Sequence, residues 1–512
     1  MSIPVQIGAV LVAIGLYEAA RYTAFRALKR RWQRSIGDFL RRHSVQLEHF
    51  RFIDRVWVRQ TLLQDPEIDR LAADRAATSG ETLYEVRARI EAWLDEIVPY
   101  FNLFSYYKVG AAAARAAVRV CYEPVFDDAA LARARAAIPP GTVTVYVANH
   151  RSNADYVVLS VGTLRQVALS YAVGEWARVW PLDSLFRSFG SYFVRRGEKD
   201  PLYHRVLARY LQLVASRGLT TAFFLEGGLS RDGALRPPRI GLLDYLVGIL
   251  RTEPDRRIAF VPVGINYDRV LEDRHLLGEK GPPGIVQKLA SLGKIAVRAP
   301  VVAGAFFGRA ALRSHRKYGY AAVSFGPPLF LGDLVADPAA VAALPDAERR
   351  PHIAALADRL LAEVGATVPV TPVAVVAVAL LGGARDKGAL RQHVGAALQK
   401  HRAEGRPIAQ GRAFRGLAGA NPDLAAPQLN PALANPDLAA LDSDIGNAEE
   451  AERTVDLALR LLVRRELVRL DGGAIALSAD AAPILAYYAR SLDAPTHSAA
   501  AWKPDDPART AS

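Results

Sequence analysis

The stretch Thr142-Val-Thr-Val-Tyr-Val-Ala-Asn-His150-Arg151-Ser152-Asn153-Ala154-Asp155 decides how the rest of the chain is read. Its β-branched run, Thr142 to Val147, predicts a short buried strand. A polar turn follows, and Tyr156-Val-Val-Leu-Ser-Val opens an apolar segment that reads as a helix, with Ser152 or Asn153 as its cap. An imidazole thus stands at the carboxyl end of a strand with a carboxylate five residues later, where α/β folds often hold their chemistry. A histidine can take the proton of a hydroxyl as that hydroxyl attacks, because it titrates near the working pH. A neighbouring carboxylate fixes the ring tautomer and stabilises the imidazolium. Residues five apart do not share a face of a straight helix, so the turn must bring the two together. The spacing alone is common: His49-Phe-Arg-Phe-Ile-Asp54 repeats it with no strand before it, and reads as chance.

At 512 residues the chain has material for a large core and for more than one domain. Its one cysteine, Cys121, excludes an internal disulfide and a cysteine-cluster metal site, and Val-Arg-Val-Cys121-Tyr-Glu-Pro offers that thiol no nearby histidine. None of the ten histidines has a metal-ligand spacing, and there is no phosphate-cradling Walker loop. No metal or redox cofactor is implied. The formal charge of +13 points to an acidic partner: nucleic acid, an anionic membrane surface or phosphorylated substrates.

Working outward, the first seventeen residues carry no charge and Ile7 to Leu16 is strongly apolar, a run shorter than the ~20 residues that span a bilayer as a helix. No basic residue precedes it and no small-residue cleavage site follows, so a removed signal peptide is not expected. Arg21 to Arg42 then holds eight basic residues against one acid, Asp38. We read residues 1–57 as an apolar and basic segment that associates with an anionic leaflet, each surface cation adding roughly 1 kcal/mol. The competing reading is a helix packed on the main domain with a solvated basic face. Residues 58–125 read as helical, with Asp65-Pro-Glu opening one segment and Ser79-Gly-Glu-Thr another.

Three more blocks follow Asp155. Phe189-Gly-Ser-Tyr-Phe-Val-Arg195-Arg196-Gly197 is strand-like and ends in paired arginines, whose forks suit phosphate oxygens. Thr220-Thr-Ala-Phe-Phe-Leu-Glu226-Gly227-Gly228-Leu229-Ser230-Arg231-Asp232-Gly233 is a buried strand opening into a glycine-rich turn. Ile258-Ala-Phe-Val-Pro262-Val-Gly264-Ile-Asn266-Tyr267 is a strand with a proline in it. Each alone reads as solvated arginines, a turn or core. Together, in this order, they carry more.

His150-x4-Asp155, Gly190 to Arg196, Phe224-Leu-Glu226-Gly227-Gly228-x-Ser230-Arg231 and Val261-Pro262-Val263 together resemble the four-motif signature of glycerolipid acyltransferases. Within that superfamily the chain most resembles the glycerol-3-phosphate 1-O-acyltransferases. Tyr203 in Pro-Leu-Tyr-His-Arg-Val-Leu, Pro237-Pro-Arg239-x-Gly241 and the tyrosine-led Tyr267-Asp-Arg-Val-Leu-Glu272 are similar to segments beside their motifs, and likeness runs from roughly residue 58 to 490. The resemblance implies an α/β fold, a mixed sheet flanked by helices as in glycerolipid acyltransferases, with helical N- and C-terminal regions. It implies that His150 and Asp155 are catalytic. It puts Arg195, Arg196 and Arg231 on the acceptor phosphate, with Arg196 and Arg231 foremost. Arg151 and Ser152 would support the His150 turn, Glu226 and Gly227 would shape the acceptor site, and Gly228, Ser230, Tyr203 and Pro262 belong to the same substrate-binding set.

One position departs from the family. Where the family has arginine between the second glycine and the serine of the third block, this chain has Leu229. A charge-assisted hydrogen bond is worth roughly 1.5–3 kcal/mol, so its loss weakens acceptor binding about tenfold to a hundredfold unless another group substitutes. Arg236 and Arg239 are near enough in sequence to do so.

The acyltransferase domain is expected over 126–335, with a helical extension over 336–412. Inside that extension Val364 to Ala384 is uncharged, but Pro369, Pro372, Gly382 and Gly383 confine any regular helix to about ten residues, too few to cross a bilayer. Ala420-Asn-Pro-Asp-Leu-Ala-Ala recurs at Ala434, which marks 413–447 as a linker. Residues 448–492 read as helix, tight turn at Asp471-Gly-Gly473, short strand and final helix, and 493–512 as a disordered tail.

The expected reaction moves an acyl group from acyl-coenzyme A or acyl carrier protein to the sn-1 hydroxyl of glycerol 3-phosphate. Dihydroxyacetone phosphate or a lysophospholipid are alternative acceptors that Leu229 permits and the tyrosine-led fourth block opposes. A silent membrane scaffold would need neither His150 nor Asp155. A nucleic-acid binder would concentrate its basic and aromatic residues on one face, whereas the longest basic cluster here adjoins the apolar N-terminus. The expected location is the cytoplasmic face of a bacterial inner membrane.

Overall fold

The computed structural model describes residues 55–99, 111–163, 166, 167, 169–174, 191–195, 197–278, 318–410, 413–415 and 436–493. The expected membrane-associating segment, apart from its last three residues, and the tail after Asp493 lie outside these, as does Arg196.

Three helices come first: α1 (Arg55–Leu63), α2 (Pro66–Ser79) and α3 (Leu83–Ile97). Both sequence turn signals start a helix. The Asp65 carboxylate accepts from the Glu67 and Ile68 amides with Pro66 opening α2, and Thr82 forms a reciprocal capping box with Glu85 on α3. Their apolar faces, including Ile68, Val86, Ile90 and Leu94, pack on Tyr203, Val206, Tyr210 and Leu211 of the later helix Pro201–Ser216.

The chain then runs α4 (Ala111–Cys121), β1 (Glu123–Phe126), α5 (Asp128–Ala136), β2 (Val143–Ala148), α6 (Asp155–Thr163), β3 (Ser170–Gly174), β4 (Tyr192–Val194), α7 (Pro201–Ser216), β5 (Thr221–Phe224), α8 (Gly241–Val247), β6 (Ile258–Tyr267), α9 (Asp273–Leu276), β7 (Tyr320–Phe325) and β8 (Leu329–Phe330). The sheet is mixed, in the order β1-β7-β6-β2-β5-β3-β4, with β8 also pairing β6. Strands β6, β2, β5, β3 and β4 are mutually parallel, and β7 runs antiparallel to β6. Because β1 pairs with β7, the sheet starts slightly ahead of the boundary expected at residue 126.

Alternation along β2 divides the core. Tyr146 and Ala148 face one side, with Tyr156, Val158 and Leu159 of α6. Val143, Val145 and Val147 face the other, with Leu243, Leu246 and Val247 of α8. The crossover leaving β2 and the one leaving β5 move in opposite directions along the sheet, so right-handed connections lie on opposite faces. Between them, the ends of two adjacent strands are left to build a site.

After the sheet come α10 (Leu331–Leu334), α11 (Pro338–Ala343), α12 (Asp346–Thr367), α13 (Pro372–Leu381), α14 (Lys387–Ala403), a β9–β10 hairpin (Ile408–Gln410, Ala413–Arg415), α15 (Pro436–Arg464), a second hairpin of β11 (Val468–Asp471) and β12 (Ala474–Leu477), and α16 (Ala481–Ala489). The uncharged run at 364–384 is split as its prolines require, and α13 is ten residues long and largely buried. Among the described residues no helix is long and apolar enough to cross a membrane. Two expectations change. The 413–447 segment is not wholly irregular, since β10 and the start of α15 fall inside it: Asn435-Pro436 begins a helix, because proline fits a first helical turn, where its missing N–H is not needed. Asp471-Gly-Gly473 turns a two-stranded hairpin rather than leading to one strand.

Candidate active site

Strands β2 and β5 end level, Ala148 beside Phe224, and the residues that follow each strand form the site. The Leu225 amide still donates to the Ala148 carbonyl at 3.0 Å, and the Ser230 amide donates to the His150 carbonyl at 2.9 Å. Between these bonds Glu226 works as a clamp. One carboxylate oxygen accepts from the His150 amide at 2.7 Å and the other from the Arg236 amide at 2.8 Å. The turn bearing the imidazole and the glycine-rich turn are thereby one unit.

His150 and Asp155 meet as the sequence requires. Nδ1 of His150 lies 2.9 Å from Oδ2 of Asp155. That oxygen also accepts from the Arg151 and Ser152 amides at 2.7 and 3.0 Å, and Oδ1 accepts from the Tyr267 hydroxyl at 2.6 Å. A carboxylate holding four donors is an acceptor throughout, so Nδ1 carries the hydrogen and the imidazole lone pair sits on Nε2. Nε2 has no hydrogen-bond partner among the described residues. The ring is held flat on Phe224, 4.0 Å between centroids at 12°, with Tyr156 edge-on at 5.6 Å. His150 is 1% exposed and Asp155 fully buried. The result is a base with a fixed tautomer, a fixed plane and one unengaged nitrogen.

Tyr267 ends β6, the strand on the other side of β2, and burial holds its phenol well above the usual range, so it stays a donor. Further along that segment, Glu272 accepts from the Ser152 hydroxyl at 2.8 Å, and burial, with the Asp155 charge adding to it, pushes its carboxyl up. Sequence reasoning left Tyr267, Glu272 and Phe224 out of the site. The available signals were a polar Asn266-Tyr267-Asp268 tip on an otherwise apolar strand and an aromatic at the last position of β5.

The other expected residues divide. Ser152 sits in the His150 turn, where its hydroxyl also accepts from the Ala154 amide. Arg151 is buried and points away, its guanidinium donating to the Gly233 carbonyl at 2.7 Å and lying over the Tyr487 ring of α16. It ties α16 to the site. Ser230 shapes the glycine-rich turn, donating to the Ala234 carbonyl and accepting from the Gly233 amide. Gly227 has φ +63°, and a Cβ there would lie 2.6 Å from the Arg239 side chain. Gly228 is covered by Arg236, and Arg231 is exposed.

Three residues expected on substrate are held elsewhere. Arg195 makes a two-pronged ion pair with Glu96 of α3 at 2.7 and 2.9 Å and a further one with Glu198 at 3.2 Å, so two carboxylates already neutralise it. Tyr203 is buried under α3, its ring edge-on to Trp93 and its hydroxyl accepting from the Arg195 amide. Pro262 has the parity of Ile258 and Phe260, facing away from His150, and lies beside Gly326 near Thr367. A proline fits there because β6 pairs β8 through Ala259 and Phe260 and β7 only from Val263 onward.

Two predictions arise from this packing. Gly233 has φ +92°, and a Cβ on it would fall 1.8 Å from the Tyr487 carbonyl. Gly233→Ala therefore costs at least about 2 kcal/mol of stability, seen as a lowered denaturation midpoint. An unchanged midpoint would mean α16 does not seat on the site turn.

The second concerns Glu226, whose carboxyl is pushed up to about 7 by burial against the opposing pull of its two amide donors. A carboxyl raised on folding stabilises fully below the ordinary carboxylate range, and that contribution is lost as pH rises through about 7. Glu226→Gln cannot ionise. The stability of wild type relative to this variant is accordingly greater at pH 5 than at pH 8, by up to about 3 kcal/mol. Denaturant titration at both pH values checks this, and a gap that does not change with pH contradicts it.

Residues 133–266 match the family model described as Acyltransferase, and residues 304–413 match the Glycerol-3-phosphate acyltransferase C-terminal region. The chain is similar to a glycerol-3-phosphate acyltransferase of Aeromonas hydrophila subsp. hydrophila, 29% identical over 338 residues, covering 63% of this chain and 39% of that one. It is also similar to those of Actinobacillus succinogenes, at 32% over 46% of this chain and 30% of the relative, and of Glaesserella parasuis serovar 5, at 33% over 47% and 31%. The chain thus spans less than two fifths of the length of these relatives. The crystal structure of a 1-acyl-sn-glycerophosphate acyltransferase from Thermotoga maritima aligns with 61% of this chain and 98% of that one at 16% identity and a TM-score of 0.28, too slight a likeness to carry argument.

Proposed function

We propose that this chain, which belongs to the glycerol-3-phosphate acyltransferase family, moves a fatty acyl group from an acyl thioester to the sn-1 hydroxyl of glycerol 3-phosphate. The observation that carries the reading is the buried His150–Asp155 pair with Nε2 as its one unengaged nitrogen. Nε2 takes the hydroxyl proton as the oxygen attacks the thioester carbonyl, forming a C–O bond and a tetrahedral intermediate. Collapse breaks the C–S bond, and the imidazolium returns the proton to the leaving sulfur. The products are 1-acylglycerol 3-phosphate and a free thiol. The Asp155 carboxylate, held against Nδ1, offsets the positive charge on the ring. The acceptor is itself the nucleophile, so no acyl-enzyme is needed.

Coenzyme A and acyl carrier protein are both suitable donors. The product is the first intermediate of phospholipid synthesis, which supports a place on the cytoplasmic face of a bacterial inner membrane. The charge-free N-terminus followed by Arg21 to Arg42 supports contact with an anionic leaflet. An acceptor panel tests the reading: protein in liposomes, labelled acyl-coenzyme A or acyl carrier protein, and glycerol 3-phosphate, dihydroxyacetone phosphate or 1-acylglycerol 3-phosphate. Product with glycerol 3-phosphate as the preferred acceptor is expected. Product with another acceptor alone would keep the chemistry and overturn the substrate.

A further inference from the structure

We infer that Arg236 binds the acceptor phosphate, taking over the role of the arginine that Leu229 replaces in the third block. The inference rests on the proposed reaction and adds to it the group that reads the acceptor's charge.

Arg236 is fixed to the His150 turn by one carboxylate, since Glu226 accepts from both backbone amides. Its guanidinium folds back over the glycine-rich turn, Nη1 lying 3.3 Å from the Leu229 carbonyl, and a Cβ on Gly228 would meet that nitrogen at 2.8 Å. The cation therefore rests on residues 228 and 229, where the missing side chain would start. The absence of a Cβ at Gly228 is what admits it.

The weak bond to Leu229 is the one hydrogen bond the Arg236 guanidinium makes among the described residues, and no ion pair joins it there. A half-buried guanidinium without a carboxylate against it is costly to keep unless an anion completes it. The neighbouring arginines differ. Arg195 lies between Glu96 and Glu198, Arg151 is turned into Gly233 and Tyr487, and Arg231 is exposed. Arg236 alone of these four is half-buried with no ion pair among the described residues, the Glu226 charge acting on it only from beyond contact distance. A phosphate with two charged oxygens matches its planar fork.

The test is steady-state kinetics on wild type, Arg236→Gln, and the double variant Leu229→Arg with Arg236→Gln, at saturating acyl donor. Arg236→Gln is expected to raise the KM for glycerol 3-phosphate about tenfold to a hundredfold, leave the KM for acyl donor in place, and weaken competitive inhibition by inorganic phosphate equally. The double variant is expected to recover most of the loss. Thermal stabilisation by glycerol 3-phosphate, strong in wild type and weak in Arg236→Gln, separates lost binding from misfolding. An unchanged KM in an active Arg236→Gln enzyme would overturn the inference while leaving the proposed function intact. A variant that loses kcat alone, or is not rescued by Leu229→Arg, would also overturn it. Wild type that does not use glycerol 3-phosphate would bring down both.

Discussion

His150→Ala is expected to lower kcat by about 10³–10⁴-fold, with the KM for glycerol 3-phosphate changed only a few-fold. General bases contribute typically 10²–10⁴-fold, and this one stands at the upper end because its geometry is fixed on every side. Phe224 sets the ring plane, Asp155 sets the tautomer, and the turn is anchored through the Glu226 clamp and the Ser230 amide. Alanine removes the proton acceptor but none of these backbone bonds, so the loss falls on the chemical step. The cavity left over Phe224 destabilises by about 1–3 kcal/mol, which a denaturation curve measures separately. A variant that keeps a tenth of the wild-type rate would mean that another group takes the proton.

Asp155→Asn is the second large effect, and the network makes it unusually easy to interpret. Oδ2 of Asp155 serves His150 Nδ1 and two backbone amides, while Oδ1 meets only the Tyr267 hydroxyl. An asparagine oxygen can replace Oδ2, and its amide can donate to Tyr267, whose hydroxyl both gives and accepts. The tautomer and the turn then survive and the negative charge alone is lost. A rate fall of about 10³-fold is expected, with little change in stability, since one charge about 4 Å away is worth roughly 4 kcal/mol at an intermediate dielectric. An equal fall in Tyr267→Phe would instead assign the effect to geometry. The measurement is kcat in both variants beside their denaturation midpoints.

How much of this was legible in the sequence depends on how local the cause is. Each strand ending in the site is a β-branched or aromatic run closed by polar or glycine residues, and the parallel part of the mixed sheet follows from such runs separated by helices. The caps at Asp65 and Thr82 and the ten-residue limit on α13 are likewise local. What could not be read is which face a residue takes once the sheet is assembled. Arg195 and Pro262 stand beside site segments in the sequence, yet one is drawn to Glu96 on a helix a hundred residues earlier and the other falls on the far side of β6. Tyr267 reaches Asp155 only because β6 pairs with β2, a non-local choice. The contact of Tyr487 with Gly233 lies still further from any local signal.

The central claim is that the acceptor hydroxyl, deprotonated by His150, attacks the thioester directly. Rapid-quench measurement of thiol release from acyl-coenzyme A, with and without glycerol 3-phosphate, tests it most directly. The account predicts thiol only when acceptor is present, in equal amount to acylated product, and neither from His150→Ala. A burst of thiol equal to the enzyme concentration without acceptor would contradict it, because that burst requires an acyl-enzyme.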